Sequence, residues 1–249
     1  MNPTFNAAID YFNLETASDN ALKVVSSKEN RTKSSASGAN TYGDAARVDS
    51  WGETAAPSAE YMVVGNLTGT TMPDLGTVLT VADLTGPVVL GGVTFNTSKG
   101  APPTMSASGQ MVQTGANQLR KYKLPGFSIT PRHRAQDMMG LCAIMKGDAA
   151  ADDKDDYGLE SVSAAFPVKI TIAQPKGETK NYDISGDMAT CAYTMNWYAD
   201  GKPTISLTDA ATALGATMSA PVDKACPEDG YIQYTWTVSF PLIGEEVAA

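Results

Sequence analysis

The amino-acid sequence predicts an all-β fold, a mainly antiparallel sandwich or barrel with one flanking α-helix near residues 131–146 and an extended N-terminal arm. Three observations carry this expectation. From Glu60 onward, short β-branched runs punctuated by Gly and Pro follow one another. Near the C-terminus, "GYIQYTWTVSFPLI" alternates strictly, with Ile232, Tyr234, Trp236, Val238 and Phe240 on one side and Gln233, Thr235, Thr237 and Ser239 on the other. Only the stretch from Ala135 to Met145 keeps an apolar period of three and four residues, the mark of a helix.

Residues 1–58 differ in texture from the rest. They are rich in Ser, Ala, Gly and Asn with little periodicity, and so read as an arm or long loop ahead of a β domain over 59–249. The aromatics Phe5, Tyr11, Phe12, Tyr42 and Trp51 are more than a free linker carries, so they should be anchored on this chain or a neighbour. "NAAIDYFNLE" suits a short helix.

Within the domain, "EYMVVG", "TVLTVA" and "PVVLGGVTFNTS" read as strands, and "TMSASGQMVQTG" should pair back across the turn at "KGAPP". "RKYKLPGFSIT" is a strand with a Pro-Gly break, suited to a sheet edge. The expected helix follows, with Thr130 as N-cap, Pro131 in the first turn and Gly147 as its stop. Next comes "GDAAADDKDDYG", a solvated acidic loop. It has the carboxylates of a calcium loop without the order of an EF-hand, so no metal site is assigned. "VKITIAQ" and "KNYDIS" flank the turn "PKGET". "MATCAYTMNWYADGKPTISLT" predicts a hairpin around its Asp-Gly, and "TDAATALGAT" a single helical segment.

The chemistry-bearing residues argue against catalysis. The single histidine, His133, lies nine residues from Cys142, about 13 Å of helical rise, too far for a thiol–imidazole pair. Cys142, Cys191 and Cys226 show no CxxC spacing, which with one His speaks against zinc and fits buried thiols in a reducing compartment. No nucleophile-elbow, metalloprotease, P-loop or dinucleotide motif occurs, and no cofactor is expected. The net charge of −9 argues against a nucleic-acid binder. No stretch approaches the roughly 20 apolar residues of a membrane span, and no signal peptide is visible, so the Asn-x-Ser/Thr matches at Asn30, Asn66 and Asn96 carry no weight.

Arg132, His133 and Arg134 stand out electrostatically, because the first turn of a helix disfavours positive charge. Carboxylates opposite would remove that cost, from Asp152, Asp153, Asp155 and Asp156 or from a neighbouring subunit. These seven residues and Trp51 form the candidate subunit interface. Trp51, Trp197 and Tyr198 could instead line a sugar platform, the mark of a carbohydrate-binding or adhesive module.

A polar arm, then strands, "GGVTFNTSKGAPPTMSASGQ", "KYKLPGFSITPRHRAQDMMG", a hairpin and a closing alternating strand together resemble the small β-rich virion proteins of tailed phages and prophages, the tail-tube proteins in particular. The resemblance covers residues 60–249 in texture and order. It implies a non-enzymatic structural protein that assembles in the host cytoplasm into rings, often hexameric, and stacks into a tube. Arms and loops would lock neighbouring copies and other virion proteins, and DNA would pass through an acidic lumen as non-specific cargo, with no membrane partner. A head-decoration or head–tail joining role fits the same features.

Overall fold

The computed structural model describes residues 8–39, 45–68, 72–80, 84, 86–98, 101–112, 121–122, 124, 128–129, 145–147, 157–173, 181–186, 188–197, 205–207, 209–213, 215–226, 230–242 and 244–245. The fold is all-β. In chain order the elements are α1 (Leu14–Ala17), β1 (Leu22–Ala39), β2 (Ala45–Val63), β3 (Leu67–Thr68), β4 (Val78–Leu79), β5 (Val88–Ser98), β6 (Thr104–Met111), β7 (Lys121–Tyr122), β8 (Ser128–Ile129), β9 (Met145–Gly147), β10 (Tyr157–Ala173), β11 (Asn181–Gly186), β12 (Met188–Trp197), β13 (Ile205–Leu207), α2 (Asp209–Ala213), β14 (Thr217–Met218), β15 (Val222–Cys226), β16 (Tyr231–Pro241) and β17 (Gly244–Glu245).

Eleven strands form one antiparallel sheet in the order β1-β2-β6-β5-β10-β12-β16-β14, with β11 on β10, β15 on β16 and β4 on β5. Three two-stranded sheets, β3/β8, β7/β17 and β9/β13, complete the set. The alternation in β16 is realised from Tyr234 on: Tyr234, Trp236, Val238 and Phe240 are buried and Thr237 is exposed, whereas Ile232, expected on the same side, is exposed. The same parity holds in β6, where Met105 and Ala107 are buried and Ser106 and Ser108 exposed.

The buried face packs large against small. Phe95 meets Phe166 edge-on at 6.1 Å, and Phe166 meets Phe240 in the same way at 6.2 Å. Ala164 lies opposite Phe95, and Ala189 opposite Phe240. A larger side chain at either alanine would drive the rings apart, so the phenylalanines bridge three strands because their row-mates are small. Leu67, Leu75 and Tyr122, from outside the large sheet or its short flanking pairs, join the same core cluster.

The N-terminal segment covers one end of this face. Tyr11, Phe12 and Leu14 are buried, as expected for anchored aromatics. Asp10 organises the approach: its carboxylate accepts hydrogen bonds from the Leu14 and Glu15 amides at 3.1 and 2.8 Å and from the Tyr61 hydroxyl at 2.6 Å. A carboxylate at the start of a helix satisfies N–H groups that have no intrahelical partner. The Phe12 ring reaches this position only because residue 109 is glycine. A Cβ there would lie 2.7 Å from the ring and 2.5 Å from the Val89 carbonyl oxygen.

Three expectations are corrected. Residues 22–39 and 45–58, inside the expected arm or loop, join the expected strand at Glu60 in a long hairpin paired from Leu22↔Val63 to Ala39↔Ala45. Its Ala, Gly, Asn, Lys and Glu residues are depleted in strands generally, and the pairing itself supplies what propensity does not. Met145–Gly147, expected as the end of the helix over 131–146, form β9 and pair with β13, which carries the partly buried Leu207. Residues 131–144 lie outside those described. The Asp-Gly hairpin between β12 and β13 does not form, because β12 already has β10 on one side and β16 on the other. α2 sits within the predicted helical segment, and α1 covers only the end of its own.

Two predictions follow from the N-terminal docking. Gly109→Ala should lower the unfolding free energy by about 1–3 kcal/mol through overpacking against Phe12 and Val89, read as an earlier urea midpoint at unchanged slope. Burial, reinforced by the hydrogen bond to Asp10, raises the Tyr61 phenol well above its ordinary range. The unfolded chain then releases this proton first as pH rises past about 10, so stability is complete below that pH and falls above it. Tyr61→Phe should flatten this alkaline loss in a pH series of thermal melts.

Candidate functional site

The other face of the large sheet is small and hydroxylic. One cross-strand row runs Lys28, Ser58, Ser108, Gly92, Pro167, and the next runs Ser26, Glu60, Ser106, Thr94, Ala165. The two rows floor a trough of about 730 Å³ across five strands. It is concave because its central positions carry almost no side chain: a Cβ on Gly92 would lie 3.3 Å from the Phe166 carbonyl oxygen. Charge is confined to one end, where Lys28 and Glu60 are exposed.

Farther along, the same face carries Ser163, Thr194, Asn196, Gln233 and Thr235, linked across strands. Ser163 Oγ donates to Asn96 Oδ1 at 2.7 Å, and Gln233 Nε2 to Asn196 Oδ1 at 3.1 Å. The Thr194 and Thr235 hydroxyls are 3.2 Å apart. Such ladders stabilise the sheet and leave many short donors and acceptors facing outward. Among the described residues no three His, Cys, Asp or Glu side chains are grouped to hold a metal. The face suits broad contact with a complementary surface.

The sheet does not close. Among the described residues no strand pairs with the outer side of β1, nor with the outer side of β14 and β15. Val25 on β1 is 58 % exposed and Val222 on β15 is 71 % exposed. The margins differ in charge: β1 carries exposed Lys23, Lys28 and Arg31 against one carboxylate, Glu29, with Lys23 paired to Glu15 and Arg31 to Glu29, whereas β15 carries one Asp and one Lys.

Two ribbons extend the sheet past its body, both from the same end. β6 meets β2 only over Ser58–Met62, so from Pro57 back to Ala45 the β1/β2 pair runs on, a reach of roughly 40 Å at strand rise. β10 leaves β5 at Pro167, opposite Gly92 beside a bulge in β5, and continues to Ala173 paired with β11. Proline has no N–H for the ladder, which is why the strand departs there. β4 takes its place beside Val88 and Val89.

Of the residues assigned to the interface from sequence, Arg132, His133, Arg134, Asp152, Asp153, Asp155 and Asp156 lie outside the described residues. Trp51 lies on β2 opposite Ser34, and its side chain is outside the description, as is that of Trp197 on β12. Sequence reasoning noted the Thr-rich side of β16 but not its continuation across the sheet. The matching parity of Ser106/Ser108, Ser163/Ala165 and Thr235/Thr237 is the signal that points to it. Compared with known proteins, the chain matches no family model and no curated sequence.

Proposed function

We propose that this protein is a structural, self-assembling subunit of a virion, tail-tube-like, whose copies join into rings or a tube around passing DNA. The observation that carries the reading is the open sheet with two chemically different margins. An unpaired edge leaves a row of backbone N–H and C=O groups for a partner to complete. Two copies of β1 placed edge to edge would oppose margins on which Lys23, Lys28 and Arg31 outnumber Glu29, and this excess of like charge disfavours a symmetric dimer. The margin formed by β14 and β15 carries no such repulsion, so a head-to-tail contact is preferred, and such contacts close into rings or continue as filaments.

Other features agree with that role. The hydroxyl trough, with charge at one end only, offers wide polar contact without strong attraction for phosphate. The net charge of −9 keeps a lumen built from this chain from holding DNA. The projecting ribbons supply reach toward a neighbour.

Negative-stain microscopy and sedimentation of the purified chain, over a range of concentration and salt, test the proposal. Rings or tubes are expected, and a species that stays monomeric throughout would overturn it. Val222→Lys sharpens the test. At this exposed margin it should change the unfolding free energy by no more than about 0.5 kcal/mol while strongly reducing the particles.

A further inference from the structure

We infer that the segment Ile9–Ala17 is an exchangeable arm, which in the assembly leaves its own chain and fills the same cleft of a neighbouring copy. This rests on the self-assembly proposed above and names one of its joints. The segment is part of no strand ladder. It is held by side chains, with Tyr11, Phe12 and Leu14 in the core, and by a few hydrogen bonds. The Ile9 amide donates to Ser27 Oγ at 2.8 Å, the Val24 amide to Glu15 Oε1 at 2.7 Å, and the Tyr61 hydroxyl to Asp10 Oδ1 at 2.6 Å. These partners belong to β1 and β2, and the Phe12 ring rests against Gly109 of β6. A second copy offers the identical cleft.

The connection is the second observation. The chain turns back between α1 and β1 through Asp19 and Asn20, both left-handed, with φ of 52° and 61°. Asn and Asp tolerate that region better than other side-chain-bearing residues, yet it is disfavoured, and two in succession hold a tight reversal. Extending the turn relieves both residues and costs only local bonds, such as Asn20 N–H to the Glu15 carbonyl at 2.8 Å and Ala21 N–H to the Ser18 carbonyl at 2.9 Å. Short strained hinges joined to a side-chain-docked element favour exchange between copies, because the docked contacts are conserved when the element moves.

The test uses the full chain with cysteines placed at two positions that touch, Ile9→Cys and Ser27→Cys. In the first arm each substitution sits on a separate chain, one lengthened by a tag. The two are mixed dilute, concentrated into particles and oxidised, and the linked peptides are mapped by mass spectrometry so that the native cysteines stay in place. Exchange predicts a tagged–untagged product through the introduced sulfurs, rising about tenfold between dilute and assembled protein by mass action. In the second arm both substitutions are on one chain oxidised while dilute, which locks the segment at home. That chain should lose assembly and regain it on reduction. Particles from the locked chain, or particles of the two mixed single-cysteine chains without the cross-chain product, would overturn the exchange and leave the structural reading standing. Absence of particles from the wild-type chain would remove both.

Discussion

Alternate residues of β6, β16, the second half of β5, residues 55–63 of β2 and residues 163–167 of β10 go to a single buried apolar layer, and the residues between them lie on the other face. Phe95, Phe166 and Phe240 meet across three strands because Ala164 and Ala189 sit in their rows. A slip of one residue in β10 would replace Phe166 by Pro167 or Ala165 and turn the aromatic out toward the hydroxyl side. Register is therefore set by the buried face, and the outer face inherits its order of Ser, Thr, Gly and Ala rows.

That constraint leaves the sheet open. A barrel would need β1 to meet β14 or β15, and among the described residues it does not. The sheet instead sheds strands at one end: β10 departs at Pro167, where no N–H is available and β5 bulges, while β2 runs on with β1 alone. Each departure exposes backbone groups that water satisfies in the isolated chain and that another strand could satisfy in an assembly. The lysines along β1 act against random pairing and select the charge of a partner margin.

The parts legible in the sequence are those where local period and burial agree. β16 alternates because one of its faces packs into the core and the other lies on the hydroxyl face. The β5–β6 and β10–β11 hairpins follow their turns. The β1/β2 ribbon was hidden because its Ser, Thr and Ala side chains carry little pattern, although Ala55, Ala59, Tyr61 and Val63 on β2 share one buried parity that extends the recognised strand toward the N-terminus. The Asp-Gly signal after β12 failed for a different reason: turn chemistry is local, while the edges of β12 are taken by distant strands. Gly109 gave no sign in sequence of its importance, since its role depends on a ring from residue 12.

The molecule also has two unlike ends along its strands. The ribbons leave beyond the row of Ser58, Ser108, Gly92 and Pro167. At the opposite end, where β1 starts beside Val63, the Ala21 carbonyl accepts from the Val64 and Gly65 amides at 2.8 and 3.1 Å, next to the left-handed turn. In the head-to-tail assembly proposed above, unlike ends and unlike margins would repeat from copy to copy in one sense. The buried segment fits this polarity. Its turn lies at one end, its tip runs back along β1 to Ser27, and its release breaks side-chain packing and a few hydrogen bonds, whereas release of either ribbon would break a strand ladder. Of the extensions this chain carries, the N-terminal segment is thus the one that can change owners without unravelling the sheet that receives it.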